Sequence, residues 1–307
     1  RCLAAQQEDD GDPQASLRTI ETLLGRLHGN DLAGIHLLEL HLHRLQVLMS
    51  LGRYSQVVDA CSRAQVLLDR VLPSWGEFFR TTLRLEGAYC AVYLDPRPET
   101  ADRLLESLEP VDLPGTMRFI ARSVRGELEL TRGNARTAAL IQRVSLRYAG
   151  HWRTILGSGS QWELYILSMC LITDVELSPD DAVELDADAV RVRATSLLRD
   201  ILSDPAPRQR DIPTIMAFVA AVGLSVVAAE DADPDRRAVG AELVATALAV
   251  GTNQTCRLLS HDYLHSRTEQ LDARALAQAE VRIRLLDRGE LVAHAADLAG
   301  RLAGEVG

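Results

Sequence analysis

Residues 48–58 read LMSLGRYSQVV and predict a tight turn that joins two helices. Gly52 lies at the centre of the turn, where a residue without Cβ fits best. On both sides of it, apolar residues recur at intervals of three and four, the period of a helix with one buried face. This period is shown by Leu37, Leu40, Leu45, Leu48 and Leu51 before the turn, and by Val57, Val58, Val66, Leu67 and Val71 after it.

The same helix–turn–helix pattern continues along most of the chain. Successive turns are roughly forty residues apart, a period typical of α-solenoids, whose helix pairs bury their apolar faces by stacking. We therefore expect an all-α fold: a superhelical array of antiparallel helix hairpins over 1–307, either undivided or in two lobes, 1–156 and 157–307. The predicted first helices cover about 32–51, 77–94, 114–131, 160–175 and 211–230; their partners cover about 54–72, 98–109, 136–149, 179–202 and 234–250, and two or three helices follow 258.

Several helix starts are marked by capping residues. In Asp12-Pro13, Ser178-Pro179 and Asp233-Pro234, an acceptor side chain precedes a proline, which suits the first helical position because that position needs no N–H donor. Residues 74–77, Ser-Trp-Gly-Glu, form a capping box. Residues 190–193 alternate as a strand would, but their helical neighbours predict a helix there as well.

The turn at 48–58, with Ala60 and Ala64 after it, resembles the turn and second helix of a tetratricopeptide repeat. The resemblance implies that Gly52 forms the turn, that Tyr54 packs back on the first helix, and that Ala64 lets the next helix approach. A second match at the same small-residue spacings consists of Gly126, Gly133 and Ala138. The resemblance implies a degenerate tetratricopeptide-like α-solenoid.

Residues 233–243, DPDRRAVGAEL, are similar to late repeats of large actinobacterial transcriptional regulators of the antibiotic-regulator and LuxR types. Those proteins carry a tetratricopeptide-like array beside a DNA-binding domain and often an ATPase domain. This chain has no winged-helix, helix-turn-helix or ATPase motif. The resemblance therefore implies an interaction or effector-sensing module, cut from or related to such a regulator.

Composition excludes several kinds of chemistry. All 33 basic residues are arginine, so Schiff-base chemistry, lysine general bases and the P-loop lysine are absent. The formal net charge of −10 disfavours general affinity for nucleic acid or an anionic membrane. Residues 212–229 contain no charge, but their proline, glycine and alanines favour a buried inner helix over a membrane span. The odd, scattered set Cys2, Cys61, Cys90, Cys170 and Cys256 predicts reduced thiols and a cytoplasmic location.

Three short patterns resemble catalytic or metal sites. His36, Glu39 and His43 could share one helix face, yet no second cluster completes a metal site. Residues 180–184 match the DDxxE pattern of class I terpenoid synthases, but acids directly after Ser178-Pro179 are better explained as helix-capping residues. Ser260, His261 and Asp262 are adjacent, so their side chains diverge and predict a polar turn. We therefore predict no catalytic residue, metal or cofactor.

The strongest candidate binding region combines arginines with aromatic residues. Between 118 and 153 there are eight arginines against two acids, whereas 154–190 has eight acids and no base. Two arginine stripes on neighbouring helices could form a groove that grips carboxylates or phosphates, or could pair with the acids that follow. The predicted ligand-binding residues are Arg118, Arg122, Arg125, Arg136, Arg143 and Arg147, with Trp152, Trp162 and Tyr165 as anchors.

The sequence thus favours a non-enzymatic helical-repeat module of a bacterial transcriptional regulator. Its expected partner is a protein or peptide, a neighbouring domain of a parent protein, or a small acidic effector. We expect no direct binding to DNA or to a membrane. Two alternatives stay open: a freestanding tetratricopeptide adaptor, and an all-α metal-dependent enzyme of terpenoid-synthase type.

Overall fold

The computed structural model describes residues 2–9, 12–27, 34–71, 76–94, 99–108, 115–156, 161–203, 212–229, 232–254 and 256–304. Within these ranges the chain forms fifteen α-helices, one 3-10 helix and no strand, which confirms the all-α class. Many of these helices pack in pairs, an arrangement compatible with a helical-repeat solenoid.

The chain divides into two compact units, Arg1–Gly133 and Asn134–Gly307. The sequence predicted either an undivided array or two lobes, 1–156 and 157–307; in the structure, α8 packs against α9 within unit 2. Unit 1 contains α1 (Cys2–Asp9), α2 (Pro13–Leu27), α3 (Gly34–Ser50), α4 (Tyr54–Val71), α5 (Gly76–Leu94), α6 (Glu99–Glu106) and α7 (Gly115–Thr131). Unit 2 contains α8 (Ala135–Leu156), α9 (Gln161–Val175), α10 (Pro179–Glu184), α11 (Ala187–Leu202), α12 (Ile212–Ala228), α13 (Pro234–Val250), the 3-10 helix Arg257–Leu259, α14 (His261–Ile283) and α15 (Arg288–Gly304).

In unit 1, consecutive helices from α1 to α6 pack on one another, and α7 packs against α5 and α6. The turn between α3 and α4 has the predicted form. Gly52 has a φ of 67°, and the Arg53 N–H donates to the Leu48 carbonyl at 2.9 Å, so the turn satisfies a helix-end carbonyl. Ala64 is fully buried on α4, while Tyr54 is half-buried at its first residue.

Unit 2 is built around α12, whose residues 212 and 215–227 are all buried. Helices α9, α11, α13 and α14 all pack against it. This confirms that residues 212–229 form an inner helix, and no helix of the described residues is long and apolar enough to cross a membrane. In addition, α11 packs against α15, two helix pairs further along the chain. Repeats of a simple solenoid contact only their neighbours, so the α11–α15 contact departs from that arrangement.

The predicted caps are present wherever the structure describes them. Asp12, Ser178 and Asp233 accept a hydrogen bond from a backbone N–H three residues on, at the starts of α2, α10 and α13. Residue 74 of the predicted capping box lies outside the described residues. Residues 190–193 are helical within α11.

The helix predicted over 179–202 is wrong in one respect, because it is broken between α10 and α11. Asp186 has a φ of 53°, which an uninterrupted helix does not allow. The second tetratricopeptide-like match keeps small residues where they were expected: Gly126 and Ala138 are buried, and Gly133 has a φ of 80°.

Candidate functional site

The predicted arginine stripes lie on α7 and α8. On α7, Arg118 is exposed, Arg122 and Arg125 are half-buried, and all three take part in polar interactions. Because α7 belongs to unit 1 and α8 to unit 2, the groove between the two stripes stays a prediction. The α8 arginines are described by the contacts that they make within unit 2.

The predicted aromatic anchors are only partly described. Trp152 and Trp162 lie on α8 and α9, but their side chains fall outside the described residues. Tyr165 is half-buried on α9, where Leu164 and Ile166 beside it are buried in the core. Packing between helices therefore accounts for part of the Tyr165 environment.

Arg143 on α8 binds the acidic end of α9 and the end of α10. Its Nη1 and Nη2 donate to the two carboxylate oxygens of Asp174 at 2.7 and 3.1 Å. Its Nε donates to the Leu185 carbonyl at 2.9 Å. Burial raises the pKa of Asp174, and the hydrogen bonds from Arg143 oppose that shift. The guanidinium thus makes a partly buried, bidentate contact with Asp174 and a third hydrogen bond with the Leu185 carbonyl.

Arg136, two turns earlier on α8, binds both acidic side chains that face it from α10. Nη1 and Nη2 donate to the Glu184 carboxylate at 2.8 and 2.5 Å, and Nη1 also donates to Asp181. The bond from Arg136 lowers the pKa of Glu184, and bonds from Ser178 and Arg136 lower that of Asp181. Both acids are therefore ionised near neutral pH.

The outer side of α8 combines these arginines with exposed apolar side chains. Leu140 is 45% exposed and Val144 is 39% exposed, and Arg147 beyond them is exposed. Arg136, Leu140, Val144 and Arg147 follow one another at helical spacing, so they share one face. We call the face formed by Arg136, Leu140, Arg143, Val144 and Arg147 the α8 surface. This surface places guanidinium groups beside exposed apolar side chains.

The patterns that resembled metal sites make other contacts. His43 Nε2 contacts the Glu8 carboxylate, and His36 pairs with Glu39 at 3.6 Å. Two acids of the DDxxE pattern, Asp181 and Glu184, pair with Arg136. Within the described part of the chain, no three His, Cys, Asp or Glu side chains lie close enough together to hold a metal ion.

The sequence reading missed one exposed surface, the outer face of α14. Val281 is 73% exposed there, and Leu285, just beyond the helix, is 93% exposed. The opposite face, with Leu276, Ala279 and Ile283, packs in a core cluster with Ala245 and Leu291. A surface depression of ≈ 480 Å³ is lined by Arg274, Ala277, Gln278, Val281 and Arg282. A sequence pattern could have identified this surface, because Ala277, Val281 and Leu285 recur every four residues. They lie apart from the buried residues Leu276, Ala279 and Ile283.

No protein-family model matches this chain, and neither does any curated protein or solved structure. The geometry of the described residues and the sequence patterns therefore carry the functional argument. The feature that bears most directly on it is the α8 surface, because it already holds carboxylates.

Proposed function

We propose that this chain is a non-enzymatic helical-repeat interaction module that binds acidic protein segments at the α8 surface. One observation carries the proposal: Arg136 and Arg143 bind two carboxylates and a backbone carbonyl of a single short segment, 181–185. Planar guanidinium groups on a rigid helix suit this kind of recognition, because two parallel hydrogen bonds fix both position and orientation.

The apolar side chains of the α8 surface extend the proposal from small acids to proteins. Leu140 and Val144 are exposed between Arg136 and Arg147, so a helical ligand could bury them while its acids pair with the arginines. A small acidic effector could use the arginines alone. A neighbouring domain of a parent protein is the third kind of partner that fits.

The proposed context is a bacterial transcriptional regulator with a tetratricopeptide-like array. The sequence similarity of residues 233–243 and the all-α fold with packed helix pairs support it. In such a protein the module would receive a signal or contact another domain, while a separate domain binds DNA. A freestanding adaptor would use the α8 surface in the same way.

The competing proposal is an all-α metal-dependent enzyme. Its central motif is residues 180–184, and the contacts of Asp181 and Glu184 with Arg136 favour binding over catalysis. A guanidinium supplies the positive charge that a magnesium ion would otherwise provide to these oxygens. Asp181 also lies in the first turn of α10, where its N–H donates to Ser178 at 3.3 Å.

A fluorescence-anisotropy titration tests the proposed function. The probes are a labelled helical peptide with two glutamates three residues apart, and a labelled duplex DNA of random sequence, in about 150 mM salt. Both are titrated with the wild-type chain and with the Asp181→Asn/Glu184→Gln variant, since the wild-type arginines already hold carboxylates. We expect the peptide to bind at least one of these two chains.

The controls are single arginine substitutions. Arg136→Gln should weaken peptide binding about fivefold or more, the equivalent of about 1 kcal/mol. Arg274→Gln removes an exposed guanidinium from α14 and should leave the affinity unchanged. If neither chain binds the peptide in an Arg136-dependent way, or if duplex DNA binds more tightly than the peptide, the proposed function is wrong.

A further inference from the structure

Helix α10 is unusual in unit 2 because it contributes nothing to the core. None of its six residues is buried, and Val183 at its outer side is 84% exposed. The helices on either side of it differ sharply: α9 and α11 each bury a row of apolar residues, including Leu167 and Leu198. Apolar burial therefore does not hold α10 in place.

Polar contacts with α8 hold α10 instead. Asp181 and Glu184 pair with Arg136, and the Leu185 carbonyl accepts from Arg143 Nε. In the pair with Arg136, the Glu184 side chain is 64% exposed and that of Arg136 is 42% exposed. Ion pairs as exposed as these are screened by solvent and add little to stability. Such contacts position α10 but bind it weakly.

The junction after α10 also favours its release. Asp186 has a φ of 53°, a left-handed conformation that carries a steric cost for a residue with Cβ. A detached α10 would relieve this conformation, and none of the residues that leave with it is buried. The segment can therefore leave α8 without unfolding either neighbouring helix.

We propose that α10 is an intramolecular substitute for the ligand of the α8 surface, so that an acidic helical segment binds there by displacing it. This inference rests on the proposed function. Asp181 and Glu184 show the arrangement that Arg136 recognises: two carboxylates three residues apart on one helix face. The ligand is therefore a helical protein segment that presents Asp or Glu at this spacing.

A ligand can outcompete α10 because it can make contacts that α10 does not make. A tethered segment has a high effective concentration, in the millimolar range for short linkers, so equal contacts would leave α10 bound. Leu140 and Val144 remain exposed with α10 in place. A helix with apolar residues beside its acids would bury Leu140 and Val144. This apolar burial would stabilise its complex with α8, and α10 makes no such contact. Displacement thus selects acidic helices that are also amphipathic.

The test compares the wild-type chain with the Asp181→Asn/Glu184→Gln variant, both comprising residues 1–307. The variant keeps the Ser178 side chain that accepts from the backbone N–H of residue 181, so α10 retains its cap. The probe is a labelled, stapled helical peptide that contains residues 178–186 and carries added leucines beside the acids, so that it can also contact Leu140 and Val144; a matched peptide has Asn and Gln in place of its Asp and Glu at 181 and 184. Circular dichroism and thermal unfolding check that both chains are equally folded.

We expect the acidic peptide to bind the variant at least about tenfold more tightly than it binds the wild type, a difference of about 1.4 kcal/mol. Arg136→Gln in the variant background should abolish the gain, and Arg274→Gln should preserve it. In the wild type, saturating peptide should accelerate hydrogen exchange of the amides of residues 181–186, because α10 is released.

The outcomes separate the two proposals. Equal, Arg136-dependent affinity for the two chains, or unchanged exchange in 181–186, would show that α10 does not occupy the site, and the proposed function would stand. Absence of Arg136-dependent binding to either chain would overturn both proposals. Equal binding of the acidic and the neutral peptides would overturn the recognition of paired carboxylates.

Discussion

Gly223 on α12 and Gly240 on α13 meet so closely that neither position has room for a side chain. A Cβ on Gly223 would lie 2.5 Å from the Gly240 carbonyl oxygen, and one on Gly240 would lie 2.8 Å from that of Gly223. Both contacts are with backbone, which cannot move aside as the end of a flexible side chain can. The two glycines therefore set the distance between α12 and α13 in unit 2.

The first prediction follows from this contact. Gly223→Ala should lower the free energy of unfolding by about 1–3 kcal/mol or more, because the added methyl group forces the helices apart. The measurement is urea unfolding followed by circular dichroism. Gly25→Ala is the matched control: Gly25 lies on helix α2 and has nothing within 4 Å of an added Cβ. That substitution should stabilise by up to about 1 kcal/mol through helix propensity. Equal effects of the two substitutions would contradict the close approach.

The second prediction concerns the carboxylate of Glu242, whose side chain is 6% exposed on α13. It accepts from Arg282 Nη1 of α14 at 2.5 Å and from His294 Nε2 of α15 at 2.7 Å, so it links three helices. Arg282→Ala should destabilise by about 1–3 kcal/mol, because a buried carboxylate loses its guanidinium partner. Arg274→Ala, an exposed site on the same helix, should change stability by less than about 0.5 kcal/mol. Thermal unfolding of the two variants measures this difference in stability. An equal loss in both would contradict the role of Arg282.

Much of the helix plan could be predicted because it depends on local signals. The expected helix 54–72 forms as Tyr54–Val71, and the Ser178 and Asp233 caps sit at the starts of α10 and α13. Apolar periodicity and capping involve residues only a few positions apart, so they can be recognised in a single sequence. The helix break at Asp186 could not be predicted in this way. Aspartate only occasionally adopts the left-handed conformation, so the residue type alone does not indicate it.

The candidate site was only half predictable. Charge counting identified Arg136 and Arg143 and the acids after residue 154, and it left open whether these groups bind a ligand or one another. The structure shows that they pair, across 31 to 48 positions of sequence. Such pairings depend on how α8, α9 and α10 pack, which a single sequence does not state. For the same reason, the sequence alone did not reveal the Gly223–Gly240 contact or the hydrogen bonds of Glu242 with Arg282 and His294.

The third prediction concerns His261, whose Nε2 accepts from the Thr252 N–H at 3.3 Å and is therefore neutral. Burial lowers the pKa of His261 below 6.5. The unfolded chain gains a proton as the pH falls through about 6.5, whereas the folded chain gains it only at lower pH, so acidification favours unfolding. Between pH of about 7.5 and 5.5, the wild type should lose more stability than His261→Gln. His36→Gln, at an exposed position, should lose as much as the wild type.

The fourth prediction concerns Glu86, which is half-buried on α5. Here the stability falls as the pH rises, whereas His261 makes it fall as the pH decreases. Burial raises the pKa of Glu86 from 4.5 to about 7. The folded chain therefore keeps a proton that the unfolded chain releases between pH 4.5 and 7, so this group lowers the stability progressively as the pH rises through that window. Replacing Glu86 by Gln removes the charge while it preserves the shape of the side chain.

At pH of about 8, Glu86→Gln should be more stable than the wild type by about 1–3 kcal/mol, since each pKa unit corresponds to about 1.4 kcal/mol. At pH of about 4, where the carboxyl is protonated in both states, the difference should vanish. Urea unfolding at both pH values measures it, and Glu106→Gln on α6, at an exposed position, should show no such pH dependence. The charge on Glu86 also raises the pKa of the Cys61 thiol, whose pKa reaches about 12 mainly through burial. Alkylation of Cys61 at pH 8 should therefore be faster in Glu86→Gln than in the wild type; equal stability and equal alkylation rates would contradict a charged, desolvated Glu86.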